Sequence, residues 1–305
     1  MKKKVIGEFL FQFYRKRTSS FLAGIYKATI TGESEDIHRL RVDVKKIYAL
    51  YSLFEMMQPD VFKKQVRFNH FINLFKLSGR IREIQVHLIF LAKPKFKKTD
   101  FSSFITFLKE QEILATKNFL LAIKHFNDKE LKSAEKEIRK ICLDIPVNKL
   151  SRKSEDLIRK RVKKIQSLLS EEPDDKNVHK IRKHLKAMST VSTLVSTIKP
   201  DEKLELIIRG LNTTEMMIGE WHDKIVLSDA IDLYMKNRKE TPEDSLTPLN
   251  SLRQSLMDDN QDLLQRLLPE ARKVVELILQ PDKVEKSGGQ EVRKSGSQEV
   301  IITPF

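Results

Sequence analysis

Two stretches of the sequence set histidine, arginine and lysine at one spacing. The first, IHRLRVDVKKIYALYSLF, carries His38, Arg41, Lys45 and Lys46; the second, VHKIRKHLKAMSTVSTLV, carries His179, Arg182, Lys183 and Lys186. Both run apolar residue, histidine, two residues, arginine, then a cation seven residues after the histidine, and the second copy lies 141 residues after the first. On a helix, at about 100° per residue, offsets of zero, three, four and seven from the histidine fall on one stripe about 100° wide. Cations crowded on a stripe repel one another. A polyanion crossing it removes that repulsion, and the planar fork of arginine matches phosphate oxygens. Phosphate binding is therefore the chemistry these residues suit. A histidine beside phosphate favours its charged form, so binding is expected to tighten as the pH falls toward about 6.

A second matched pair keeps nearly the same register. SGRIREIQV carries Gly79, Glu83 and Val86, and IGEWHDKIV carries Gly219, Asp223 and Val226, each 140 residues after its counterpart. Two copies of one charge geometry argue for two related halves. Arg82 and His222 stand at equivalent positions, each followed by an acid. An arginine cannot ligate a metal, so His222 beside Asp223 is expected to be a basic residue oriented by its acidic neighbour, not half of a metal site. Ala187 stands where the first copy has Lys46, which thins the second stripe.

These residues need long helices to hold them in register, and the chain is written for helices. It has only 9 glycines and 10 prolines in 305 residues. Apolar residues recur at three and four, as in Leu40, Val44, Ile47, Leu50, Tyr51 and Phe54. Breakers such as Gln58-Pro59-Asp60, Ile145-Pro146, Glu172-Pro173 and Lys199-Pro200 divide it. The expected helices span about 4–30, 34–57, 60–92, 100–126, 151–170, 174–198, 201–238 and 244–279, with a short extra one near 128–142. Ser34 and Asp174 are the expected N-caps. Phe9, Phe13, Phe54, Phe71, Phe75, Phe104 and Phe107 lie at helical spacing and are expected in the core. From Pro281 the chain turns polar and Gly/Ser-containing, so residues 281–305 are expected to be a disordered tail.

Charge and cysteine bound the function class. Lys and Arg number 57 against 42 Asp and Glu, a surplus of 15 that calls for an anionic partner. The single cysteine, Cys142, permits no intrachain disulfide and lies among Ile138, Ile141 and Ile145. It is expected to be a buried small side chain in a reducing compartment. The N-terminal apolar stretch is interrupted by Glu8 and Gln12, and no segment has the roughly 20 apolar residues of a membrane span. A soluble, cytoplasmic protein is expected. No glycine-rich phosphate loop, GxSxG elbow, HExxH or CxxC occurs, so neither catalysis nor a metal or cofactor is expected.

The chain resembles the CHAD family of histidine-containing helical domains that bind inorganic polyphosphate. The resemblance rests on His38, Arg41, Lys45 and Lys46, less fully on His179, Arg182 and Lys186, and on the two Gly-x-x-x-acidic segments, and it spans residues 1–280. It implies an all-α fold of two pseudo-symmetric four-helix halves, about 1–145 and 146–280, packed as one domain around a basic cavity. It also implies a non-catalytic polyphosphate binder, with His38, Arg41, Lys45, Lys46, Arg82, His179, Arg182, Lys183, Lys186 and His222 as site residues and inorganic polyphosphate, including its granules, as partner. Some family members are linked to CYTH triphosphatase domains. No ExExK-like strand motif occurs here, so a stand-alone binder is expected. A nucleic-acid-binding helical protein is the alternative from the same charge, and an enzyme or accessory protein of polyphosphate or triphosphate metabolism is the third.

Overall fold

Helix-forming residues and long uninterrupted apolar periods give helices of 15 to 36 residues. The computed structural model describes residues 3–31, 33–143, 145, 147–171, 174–198, 200–237 and 246–280. The helices are α1 (Lys3–Ile30), α2 (Ser34–Met57), α3 (Lys64–Leu91), α4 (Ser102–Lys124), α5 (Lys129–Leu143), α6 (Val147–Leu169), α7 (Asp175–Ile198), α8 (Glu202–Asn237) and α9 (Thr247–Leu279). A 3-10 turn at Pro94–Phe96 joins α3 to α4, and the described residues form no strand. None of these helices is long and apolar enough to cross a membrane. The tail expected to be disordered, 281–305, lies outside the described residues, as do the breakers at Pro146 and Pro173.

Each half is a run of consecutive neighbours: α1 packs on α2, α2 on α3 and α3 on α4, and α6, α7, α8 and α9 repeat that order. The extra helix α5 lies against α1. The halves meet through corresponding helices, α2 with α7 and α3 with α8, and also through α2 with α6 and α4 with α8. The α2/α7 pairing brings the two stripes of the sequence together.

Two cores hold these helices. The first is aromatic: Phe21, Phe54, Phe62, Phe71, Phe104 and Phe119 are buried there with Tyr14 and Tyr51. The second is aliphatic, built from Val162, Ile165, Ile181, Leu185, Met188, Leu211, Ile218 and Leu267. Burying each such side chain stabilises the fold by roughly 1.5–3 kcal/mol. The long α8 serves both cores. Its early residues Ile207, Leu211 and Ile218 join the second, whereas Leu227, Ile231 and Tyr234 join the first. Tyr234 meets the rings of Phe104 and Phe107, each at 5.2 Å. Cys142 is buried, and its thiol pKa is pushed up to about 12 by burial.

Several local expectations need correction. The N-cap of α2 is Glu33, not Ser34; Ser34 is the first helical residue, and its hydroxyl accepts a hydrogen bond from Arg82 instead. Helix α3 starts at Lys64, not near 60, because Gln58–Phe62 closes a turn that buries Phe62. Asp174 does cap α7, with its carboxylate accepting from the Asn177 amide at 2.6 Å.

Candidate functional site: a cation lane between the halves

Burial fixes the orientation of both stripes. On α2, Ile37, Leu40, Val44 and Ile47 are buried; on α7, Val178, Ile181, Leu185 and Met188 are. The polar positions left over at the α2/α7 crossing are the stripe residues. Arg41, Lys45, Arg182 and Lys186 are all partly buried. They face one another in order: Arg182 is a near cation for Arg41, and Lys186 is the nearest for Lys45. Equivalent residues of the two halves thus form successive rungs of one lane.

None of these four cations has a carboxylate oxygen within 4.0 Å among the described residues. Glu83 lies near Arg41, and Asp223 and Glu215 lie near Arg182, close enough to support those charges but not to pair with them. Burial is the largest cause holding all four below their usual pKa, followed for Lys45 by Lys186 and Arg41. Lys45 is pushed down to about 7. Burial and neighbouring cations thus disfavour the charged forms, which an anion alongside would favour.

The histidines flank the lane. His38 is exposed, and burial and then Arg82 hold it below the ordinary histidine pKa. His179 is lowered by burial, then Lys183 and His222. The rings of His179 and His222 stack at 5.8 Å. Where the first half sets Arg82 beside His38, the second therefore sets a second imidazole.

The acidic neighbours do not act as expected. Arg82 is oriented by Ser34, with Nη1 to Oγ at 2.6 Å, while Glu83 pairs with the exposed Arg80 at 3.7 Å. Only His222 keeps its neighbour, with Nδ1 3.8 Å from Asp223 Oδ1. Among the described residues no group of three or more His, Cys, Asp or Glu side chains could hold a metal ion.

Beyond the Lys45/Lys186 rung the helices part around a cavity of about 250 Å³. Lys46 lines it together with Phe13, Ala49, Ser189, Thr190 and Thr193. Lys46 is lowered by burial and Arg17. Lys183 is exposed beside His179, at the other end of the lane. The hydroxyl residues of α7 were not anticipated from sequence. Thr190, Thr193 and Thr197 follow Lys186 at four, seven and eleven residues, so continuing the same helical stripe would have found them.

Comparisons with known proteins agree on one architecture. A family model described as the CHAD domain matches residues 15–232. The crystal structure of the CHAD domain from the plant Ricinus communis superposes with a TM-score of 0.67 at 12% identity, covering 89% of this chain and 91% of that one. The structure of PptA from Streptomyces chartreusis gives a TM-score of 0.60 at 12% identity, covering 88% and 99%. At that identity the likeness is one of fold. No curated protein matches the sequence.

Proposed function

The chain belongs to the CHAD domain family, and from that premise we propose that it is a non-catalytic binder of inorganic polyphosphate, held in the lane between α2 and α7. The observation that carries this reading is the meeting of Arg41, Lys45, Arg182 and Lys186 in a partly buried lane without a paired carboxylate. Placing four unpaired cations there costs stability, and a chain of phosphates offsets that cost along its whole length. Arg41 and Arg182 would fork onto phosphate oxygens, Lys45 and Lys186 would bridge the chain, and His38 and His179 would gain protons as it binds. Lys46, Lys183, Arg82 and His222 extend the positive field at the two ends.

Binding without turnover fits the hydroxyl groups of the lane. Thr190 donates to the Lys186 carbonyl at 2.8 Å and Thr197 to the Thr193 carbonyl at 2.9 Å, so neither hydroxyl is held by a base that would make it a nucleophile. The lone buried thiol of Cys142 suits a cytoplasmic protein meeting a cytoplasmic polyanion.

The test is competition between polyphosphate and single-stranded RNA of equal charge across a salt series. Polyphosphate is expected to win at about 150 mM salt, with affinity falling steeply as salt rises. Equal binding of RNA would overturn the choice of ligand. Release of phosphate from polyphosphate and a divalent metal, above background, would overturn the non-catalytic assignment.

A further inference from the structure

A second charge arrangement lies on the outer flank of the same two helices, and the halves differ there by more than one residue. In the first half, Arg17 of α1 donates to the Asp43 carboxylate of α2 at 3.2 Å, and the Ser20 hydroxyl donates to the other oxygen of that carboxylate at 2.5 Å. The guanidinium and the carboxylate cancel, with Lys46 close to both. In the second half the residue 141 positions after Asp43 is His184. Arg161 of α6 approaches it as Arg17 approaches Asp43, with Nη1 donating to Nδ1 at 3.0 Å. Arg17 and Ser20 stand three residues apart on α1, as Arg161 and Lys164 do on α6. The second group thus holds a guanidinium, an ammonium and an imidazole, with the carboxylate gone and the hydroxyl exchanged for a cation.

Arg161 has no carboxylate within 4.0 Å among the described residues. Its Nε is buried with no hydrogen-bond partner, as is that of Arg17, whose charge Asp43 nevertheless meets. Burial holds Arg161 below its usual pKa, and the one group that offsets it is Tyr48 of α2. His184 is held below the ordinary histidine range by burial, then by Arg161 and Lys164.

We propose that Arg161, Lys164 and His184 form a second anion site, between α6 and α7, in which a phosphate group bridges the three side chains and supplies the negative charge that the Asp43 carboxylate supplies in the first half. A phosphate suits it better than a monovalent halide because three donors on two helices need several oxygens to reach them, and an excess of two positive charges needs more than one negative charge. The site stands on its own observations and does not depend on polyphosphate being the ligand of the lane.

The experiment uses the full chain carrying Lys45→Gln and Lys186→Gln, which disables the lane. Inorganic phosphate, and in a parallel arm polyphosphate, is titrated at constant ionic strength against a chloride control while the His184 imidazole is followed by NMR. A saturable shift at His184 with phosphate, absent with chloride, is expected. Saturation by polyphosphate alone would assign the site to a segment of chain, and saturation by neither would overturn the proposal. The second readout is His184→Asp in the otherwise native chain, which installs the first half's carboxylate. It should raise the melting temperature in chloride buffer, because the partly buried Arg161 gains a carboxylate within reach, and should weaken inorganic phosphate binding at this site. An unchanged or lower melting temperature would show that Arg161 lacks no counter-charge and would also overturn the site.

Discussion

The same arginine is treated differently in the two halves. Arg41 is tied to its own half: Nη1 donates to the Phe75 carbonyl at 2.6 Å, and the guanidinium lies over the Phe75 ring at 4.5 Å. It passes so close over α3 that a Cβ on Gly79 would lie 2.8 Å from Nη1. Arg182 makes no hydrogen bond or ion pair with the described residues, and a Cβ on Gly219 would have nothing within 4 Å. The repeated glycine thus leaves room for the Arg41 guanidinium in the first half and is open in the second. One half frames the lane, and the other leaves its cations free to follow a ligand. A sequence repeat preserves positions, but neighbours decide what each position does.

The sharpest way to break this comparison is to attack the rung both halves share. Lys45→Gln with Lys186→Gln should weaken polyphosphate binding by about 10²- to 10⁴-fold, taking roughly 1.5–3 kcal/mol for each charged contact. The melting temperature of the unliganded protein should rise, because the two ammonium groups repel each other in a partly buried lane. A fall in melting temperature together with unchanged affinity would make the rung a structural feature and not a binding one.

The next effect is on pH. Lys45 is lowered to about 7 in the empty lane, and a bound polyanion raises it again. Between those two values binding takes up a proton, so affinity should fall as the pH rises from about 7 to 9, by up to about tenfold per unit. The same shift acts on folding with the opposite sign. The unfolded chain binds the proton more tightly, so the unliganded protein should gain stability over that range. Calorimetric binding at several pH values checks the first claim, and Lys45→Gln should flatten its slope. Below about 7 the histidines take over, and affinity should rise further as His38 and His179, both depressed in the empty site, acquire protons from the bound state's field.

Smaller still, and aimed at the comparison itself, is the glycine pair. Gly219→Ala should leave binding unchanged and stabilise α8 by about 0.5–1 kcal/mol, the ordinary helix gain. Gly79→Ala must displace Arg41 from the Phe75 carbonyl, so it should lose that gain and weaken binding a few-fold, on the order of one neutral hydrogen bond. Equal behaviour of the two variants in paired melting and binding curves would remove the distinction between a framed and a free arginine.

Much of this was legible before any coordinates. Helix limits followed from apolar period and breakers, because long helices with few glycines leave little else for the chain to do. The meeting of Arg41 with Arg182 is what the family resemblance implies, since it sets the basic second helices of both halves around one cavity. What the sequence did not show depends on side-chain reach. Ser34 looks like a cap, yet it orients Arg82 of α3. Glu83 looks like the partner of Arg82, yet a helix sets Arg80 and not Arg82 beside it, because residues three apart share a face and adjacent residues do not. The split of α8 between an aromatic and an aliphatic core was also hidden, although every phenylalanine except Phe305 precedes Asn127.

The smallest effect concerns Ala187, where the first half has Lys46. The simple expectation is that Ala187→Lys restores a missing cation and strengthens binding a few-fold, about 0.3–1 kcal/mol for a partly exposed charge. The first half shows why the substitution alone should disappoint. Lys46 lies near Arg17, which lowers its pKa, but also near Asp43, which raises it. The corresponding ground in the second half has Arg161 and His184, so a new lysine would enter beside a cation with no acid to offset it. Ala187→Lys should therefore lower the melting temperature by about 1–3 °C, as a loss of up to about 1 kcal/mol does in a chain of this size, and add little affinity. With His184→Asp in the same chain, the melting temperature should recover and the few-fold gain in binding should emerge. If the single and double variants behave alike, Asp43 does not support Lys46 through its charge, and the contrast between the two flanks ends at the arginines.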